Sequence, residues 1–266
     1  MTDAQYHGCR GAEEMHEEFQ TVLREHLARY PLMEPQDCAK LAYQSTFGPA
    51  HAAGERGDVL RQLLGECSAL PADREARPPE RIGNGLCRVH LAGTGDWTLA
   101  APLLADLLLL TAAEHHGTAA DLEECLTAAE ALPLPGMADW LAVYRRQGCP
   151  PVHHSPAYRE AYDPHYRVLR TAYGGYFPAL LAAARLARSG RPAVVAIDGR
   201  CGSGKSGLGD LMGRLLPCNV VHMDDYYLPP GRELGADPGW KYGPGPLPAG
   251  GTGAGRGRSA DPLPPV

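Results

Sequence analysis

The chain has 266 residues, 44% of them hydrophobic, which is enough apolar material for one large domain or two modest ones. Its formal net charge of -6 offers no global attraction to nucleic acid or to an anionic membrane surface, so neither is expected as a partner. An anionic substrate would need a local basic site.

The first residues, MTDAQYHGCRGAEEMHEEF, lack a basic segment followed by an apolar one, so no secretory signal is expected and the location is read as cytoplasmic. Met15, Phe19, Val22, Leu23 and Leu27 then recur at helical spacing until Tyr30-Pro31. Further helices are predicted over Pro35 to Gln44, over Val59 to Leu70 with Asp58 as cap, from Thr118 as cap to Leu132, and from Met137 to Gly148. The most apolar run, Leu99 to Ala113, is shorter than a bilayer span and holds Pro102 and Asp106, so it reads as a buried helix. Ile82-Gly83-Asn84-Gly85-Leu86 is a turn signal leading into a short strand at Cys87 to Leu91.

Ser155-Pro156 supplies a cap and a first-turn proline for a short helix that carries Tyr158 and Tyr162 on one face. An Ala- and Leu-rich helix from Phe177 to Arg188 ends at the turn Ser189-Gly190-Arg191-Pro192. Beyond that turn the pattern changes. Ala193-Val194-Val195-Ala196-Ile197 and Asn219-Val220-Val221-His222-Met223 have no polar face, which suits strands of a parallel sheet, and Gly207 to Leu216 between them reads as a helix. The residues after Leu228 are rich in Gly and Pro without apolar periodicity and read as disordered. The eight cysteines are scattered, with no metal-ligand spacing, and are expected as reduced thiols.

The chemistry concentrates in Gly199-Arg200-Cys201-Gly202-Ser203-Gly204-Lys205-Ser206, which matches the phosphate-loop pattern G-x-x-x-x-G-K-[ST] between a predicted strand and a predicted helix. Glycines allow backbone amides to turn inward around phosphate oxygens, Lys205 reaches the β and γ phosphates, and the Ser206 hydroxyl ligates Mg²⁺. ATP and Mg²⁺ are therefore the expected cofactors. Met223-Asp224-Asp225-Tyr226-Tyr227 follows the second predicted strand, where ligands of open α/β sheets bind.

On Ala196-Ile197-Asp198-Gly199 leading into the loop, and on Asp224-Asp225-Tyr226-Tyr227 with Leu228-Pro229-Pro230 after it, the chain resembles the uridine kinase and phosphoribulokinase family of P-loop kinases. The resemblance implies that Asp224 is the general base for the acceptor hydroxyl, that Tyr227 holds the acceptor, and that Asp225 is a second carboxylate near Mg²⁺. It covers residues 190 to 230 only. The lid, its arginines and the further strands of that family have no counterpart in the Gly/Pro-rich tail, and a frameshift between about Ala236 and Tyr242 would explain the break.

Upstream, Tyr43-Gln44-Ser45-Thr46-Phe47-Gly48-Pro49-Ala50-His51, Ile82 to Arg88, and Val152-His153-His154-Ser155 through to Tyr166-Arg167 resemble a helical region of unknown function that precedes uridine-kinase-like domains in some bacterial proteins. His51, His90, His153, His154 and His165, with Glu13, Glu14, Tyr158, Tyr162 and Tyr166, could line a polar pocket or hold a metal, though their spacing fits no standard ligand set.

The expected architecture is thus α+β overall. A mainly α-helical N-terminal domain (1–170) precedes a partial P-loop α/β module (171–230) and a disordered or frameshifted tail (231–266). The expected activity is phosphoryl transfer from ATP to the hydroxyl of a small molecule, a nucleoside by resemblance. The alternatives are an inactive nucleotide-binding or interaction protein and a P-loop ATPase or GTPase.

Overall fold

The computed structural model of the chain describes residues 12–71, 75–92 and 95–226. It is about 60% helical with one small antiparallel sheet, an α+β architecture. The chain divides into two compact units, Met1–Ala182 and Ala183–Val266.

The N-terminal unit begins with α1 (Ala12–Arg29) and α2 (Pro35–Phe47). Phe19, Val22 and Leu23 of α1 are buried, as their spacing predicts. Pro35 opens α2, where its missing amide costs no helical hydrogen bond. A 3-10 turn (Ala50–Ala52) leads to α3 (Arg56–Ala69), whose N-cap position is Glu55; Asp58, predicted as the cap, lies in the first turn instead. The hairpin follows the Asn84-Gly85 turn signal: β1 (Glu80–Gly83) pairs antiparallel with β2 (Leu86–His90). Asn84 and Gly85 both have positive φ, the conformation such a turn needs.

The apolar run becomes α4 (Trp97–Glu114), capped by Asp96 through Thr98 N. Among the described residues it is the one helix whose length and composition could cross a membrane. Ala100, Leu104, Leu107 and Leu108 on it are buried, and it packs on α3 and on the third strand. Thr118 caps α5 (Ala119–Glu130) in a reciprocal box with Asp121, and α6 (Met137–Arg146) follows. Helices α1, α2, α5 and α6 share one core in which Leu41, Leu126 and Leu141 are fully buried.

Ser155 caps the short α7 (Pro156–Tyr162) by accepting from Tyr158 N. The next element is β3 (Tyr166–Arg170), which pairs antiparallel with β2 and completes the order β1-β2-β3. No turn signal follows Tyr166-Arg167-Val168-Leu169-Arg170, so the sequence pattern alone predicts no strand there. The chain passes at once into α8 (Thr171–Arg188), and the division between the units falls within that helix.

Packing at the α4 to α5 link yields a test. The Thr46 carbonyl accepts from His115 Nε2 at 2.9 Å, and a methyl group added at Gly117 would clash with that same oxygen. Gly117→Ala should lower stability by about 2 kcal/mol through overpacking. Gly65→Ala, on α3 with open space around it, should raise stability by a few tenths to about 1 kcal/mol through helix propensity. Paired thermal melts check both signs.

In the C-terminal unit the predicted helix is α9 (Lys205–Leu215), with Leu211 and Met212 buried. Segments 193–197 and 219–222 form no strands, so the parallel sheet expected there is absent among the described residues. Val194 is 96% exposed and Val221 55%. Among the described residues the two segments have no further strand to complete a ladder and only α9 against them, which leaves an apolar face of each uncovered.

Candidate phosphate-binding loop and a buried polar network

The loop before α9 folds as its glycines require. Gly202 (φ 75°) and Gly204 (φ 84°) take left-handed backbone that side chains disfavour, and Gly204 is the N-cap residue of the helix. A methyl group at Gly199 would lie 2.8 Å from Ser203 Oγ, so the loop closes on a space that a side chain would fill. Lys205 Nζ donates to the carbonyls of Gly199 (2.7 Å) and Arg200 (2.8 Å), which folds the ammonium over the loop. Asp198 Oδ1 accepts from Gly199 N at 2.7 Å, and Arg200 O accepts from Ser203 N at 3.2 Å. Helices leave their first amides without intrahelical acceptors, here those of Lys205, Ser206 and Gly207. Positive φ, a folded-back ammonium and a helix start are the features by which backbone amides can be turned toward an anion.

The segment that leads into the acidic run packs along α9. A methyl at Gly213 would meet Val220 at 2.9 Å, and one at Gly209 would meet Val220, Ile197 and His222 at 3.5, 3.9 and 4.0 Å. His222 Nε2 also lies 3.2 Å from Asp210 Oδ1. Residues 220–222 therefore run back along α9 toward its N-terminus, beside the segment that feeds the loop. The 3-10 turn Met223–Tyr226, with Asp224 and Asp225, follows directly, and Asp225 is exposed. Tyr227 and the tail lie outside the described residues. Cys201 is exposed on the loop.

In the N-terminal unit the structure joins His154 and Tyr166 to Asp37, Ser155, Gln44 and Arg88 in one buried network. Asp37, fully buried on α2, accepts from His154 Nδ1 (2.7 Å), Ser155 Oγ (2.6 Å), Ser155 N (3.0 Å) and Glu34 N (3.0 Å). His154 Nε2 meets the Tyr166 hydroxyl at 2.7 Å. That hydroxyl lies 3.3 Å from Gln44 Oε1, which accepts from Arg88 Nε (3.1 Å) and Nη2 (2.8 Å). Arg88 is buried, with its guanidinium 4.6 Å from the Tyr166 ring centroid and 3.7 Å from Glu80.

Burial foremost, with the charges of Arg88 and Lys40, lowers the His154 pKa to about 4 against the pull of Asp37. The ring is therefore neutral at pH 7. Nδ1–H donates to Asp37 and Nε2 takes the tyrosine proton.

His165 is spoken for by Glu66 (2.6 Å) and Asp163 (3.1 Å). Tyr158 and Tyr162 pack on Tyr30 at 5.4 and 4.9 Å between centroids. Among the described residues no three His, Cys, Asp or Glu side chains converge to hold a metal ion. Comparison with protein-family models, curated proteins and solved structures finds no match to the chain.

Proposed function

We propose that residues 199–206 bind the phosphates of ATP, and that the chain transfers phosphoryl groups to a hydroxyl of a small molecule in the cytoplasm, a nucleoside being the class its motifs suggest. One observation carries the reading: Lys205 folds over the glycine loop at the start of α9, and the segment that leads into the acidic turn 223–226 runs along that same helix. Lys205 would exchange its two carbonyl acceptors for phosphate oxygens, a charge-assisted replacement that strengthens the contact. Ser206, in the first turn, supplies the hydroxyl for Mg²⁺, which neutralises charge on the β and γ oxygens when bound with the nucleotide. Asp224 would accept the acceptor's proton, while Asp225 and Tyr227 would contact the metal and the acceptor.

A second reading, nucleotide binding without turnover, is favoured by the exposure of Val194, Val195, Val220 and Val221, since a substrate crevice needs rigid walls.

Titrating the full chain with ATP and Mg²⁺, then assaying it with a panel of nucleosides, tests both. Lys205→Ala is expected to weaken ATP binding by roughly 10- to 100-fold, the worth of a hydrogen-bonded charge. Transfer lost in Asp224→Asn with binding intact supports the kinase. Binding without transfer in the unaltered chain supports the second reading. No ATP binding at all sinks both.

A further inference from the structure

The N-terminal unit contains a cleft of about 350 Å³ between α2, α3, the approach to α7, and β3, large enough for a small metabolite. Its polar wall carries Lys40, His51, His153 and Arg159, and its apolar wall includes Val59 and Leu108. Lys40 Nζ donates to the Val152 carbonyl at 2.9 Å, and neither Lys40 nor Arg159 has an ion-pair partner among the described residues. Glu66, the one acidic residue of the lining, is already committed to Arg167 (2.7 Å) and His165. Two cations without an ion-pair partner among the described residues and three imidazoles, those of His51, His153 and His154, thus line a single water-accessible space.

We propose that this cleft binds a small phosphomonoester, its dianionic head on Lys40 and Arg159 and its organic remainder against Val59 and Leu108. The charge matches: a phosphomonoester carries about -1.5 to -2 at neutral pH, whereas a carboxylate would leave one cation unanswered. The size matches as well, because a phosphate group alone would leave the apolar wall uncovered. Two of the stretches singled out in the sequence, 43–51 and 152–167, contribute to this one cleft. The titratable groups facing Lys40 are Arg88 on β2, Asp37 on its own helix, His51 and His154, with His153 elsewhere in the same lining. Burial, then the Arg88 charge, lowers the Lys40 pKa to about 8 despite Asp37. A bound dianion reverses that shift, so binding at pH 8 takes up a fraction of a proton.

The cleft shares no residue with the loop at 199–206, and a Lys205→Ala background weakens any binding at that loop so that the two sites are told apart. The full chain carrying Lys205→Ala is titrated calorimetrically at pH 8 with glycerol 3-phosphate, glycerol and acetate, in two buffers of different ionisation enthalpy. One saturable site for glycerol 3-phosphate alone, with proton uptake, is expected. Arg159→Gln and Lys40→Gln should each weaken it by about tenfold or more. Arg159 is exposed on α7, so its variant tests the site even if Lys40→Gln does not fold. No saturable binding, equal binding of acetate, or unchanged affinity in Arg159→Gln overturns the proposal.

Discussion

Asp37→Ala is expected to destabilise the N-terminal unit by about 3 to 5 kcal/mol, the cost of stripping one partner from a buried, hydrogen-bonded charge cluster. The carboxylate is fully buried and accepts four hydrogen bonds. Burial pushes its pKa up, but the hydrogen bonds from His154, Ser155 and the Glu34 amide outweigh that and hold it below the ordinary value. Deleting it leaves the Ser155 amide and hydroxyl, the Glu34 amide and the His154 ring without their acceptor. Each unsatisfied buried donor costs about 1 to 3 kcal/mol before the structure relaxes.

Asp37→Asn keeps the shape but turns an amide toward donors, so it should fall between alanine and the unaltered chain. Asp58→Ala, on the exposed first turn of α3, should change stability by no more than about 0.5 kcal/mol. Urea unfolding of the three variants checks the order. A midpoint for Asp37→Ala no lower than that for Asp58→Ala would show that this cluster does not hold α2 to α7.

The sequence exposes local features and hides this cluster. The phosphate loop was legible because its chemistry is contiguous, and helices α5 and α7 because Thr118 and Ser155 mark their starts. Asp37 reads as an ordinary acidic residue in a first helical turn, and its partners His154 and Ser155 lie 117 and 118 positions away. Pairing over such a distance leaves no periodic trace. Of the histidines, His51, His153 and His154 share one surface with Lys40 and Arg159, while His90 and His165 lie elsewhere, a division that spacing does not disclose. The strand expectations for 193–197 and 219–223 erred in the opposite direction, since apolar runs state a preference for burial that a two-segment module cannot satisfy. Strand β3 was missed because it abuts α8 without the Gly or Pro punctuation that marks a strand end.

The same cluster makes the N-terminal unit acid-labile in a defined window. His154 titrates near 6.5 when unfolded and near 4 when folded, burial being the main cause. Below pH 6.5 the unfolded chain binds a proton that the folded ring refuses, so stability falls with falling pH, by up to about 1.4 kcal/mol per pH unit and about 3 kcal/mol by pH 4. Above pH 6.5 both states are neutral and this contribution is flat. Burial also lowers His26, His51, His90 and His115, so the slope between pH 6.5 and 5 should exceed one proton.

Asp37, Glu66 and Glu80 act in a separate, lower window. Their folded values are depressed, so their stabilisation persists above the unfolded carboxyl range and is lost only as pH falls through the folded values. Urea unfolding at half-unit steps from pH 8 to 4.5 measures the proton number directly. His154→Gln should remove close to one proton from the slope, even though the substitution itself destabilises. A slope below one proton in the unaltered chain would mean that the buried rings ionise without unfolding. The neutral His154 that joins Asp37 to Tyr166 would then not be what holds the cleft wall in place.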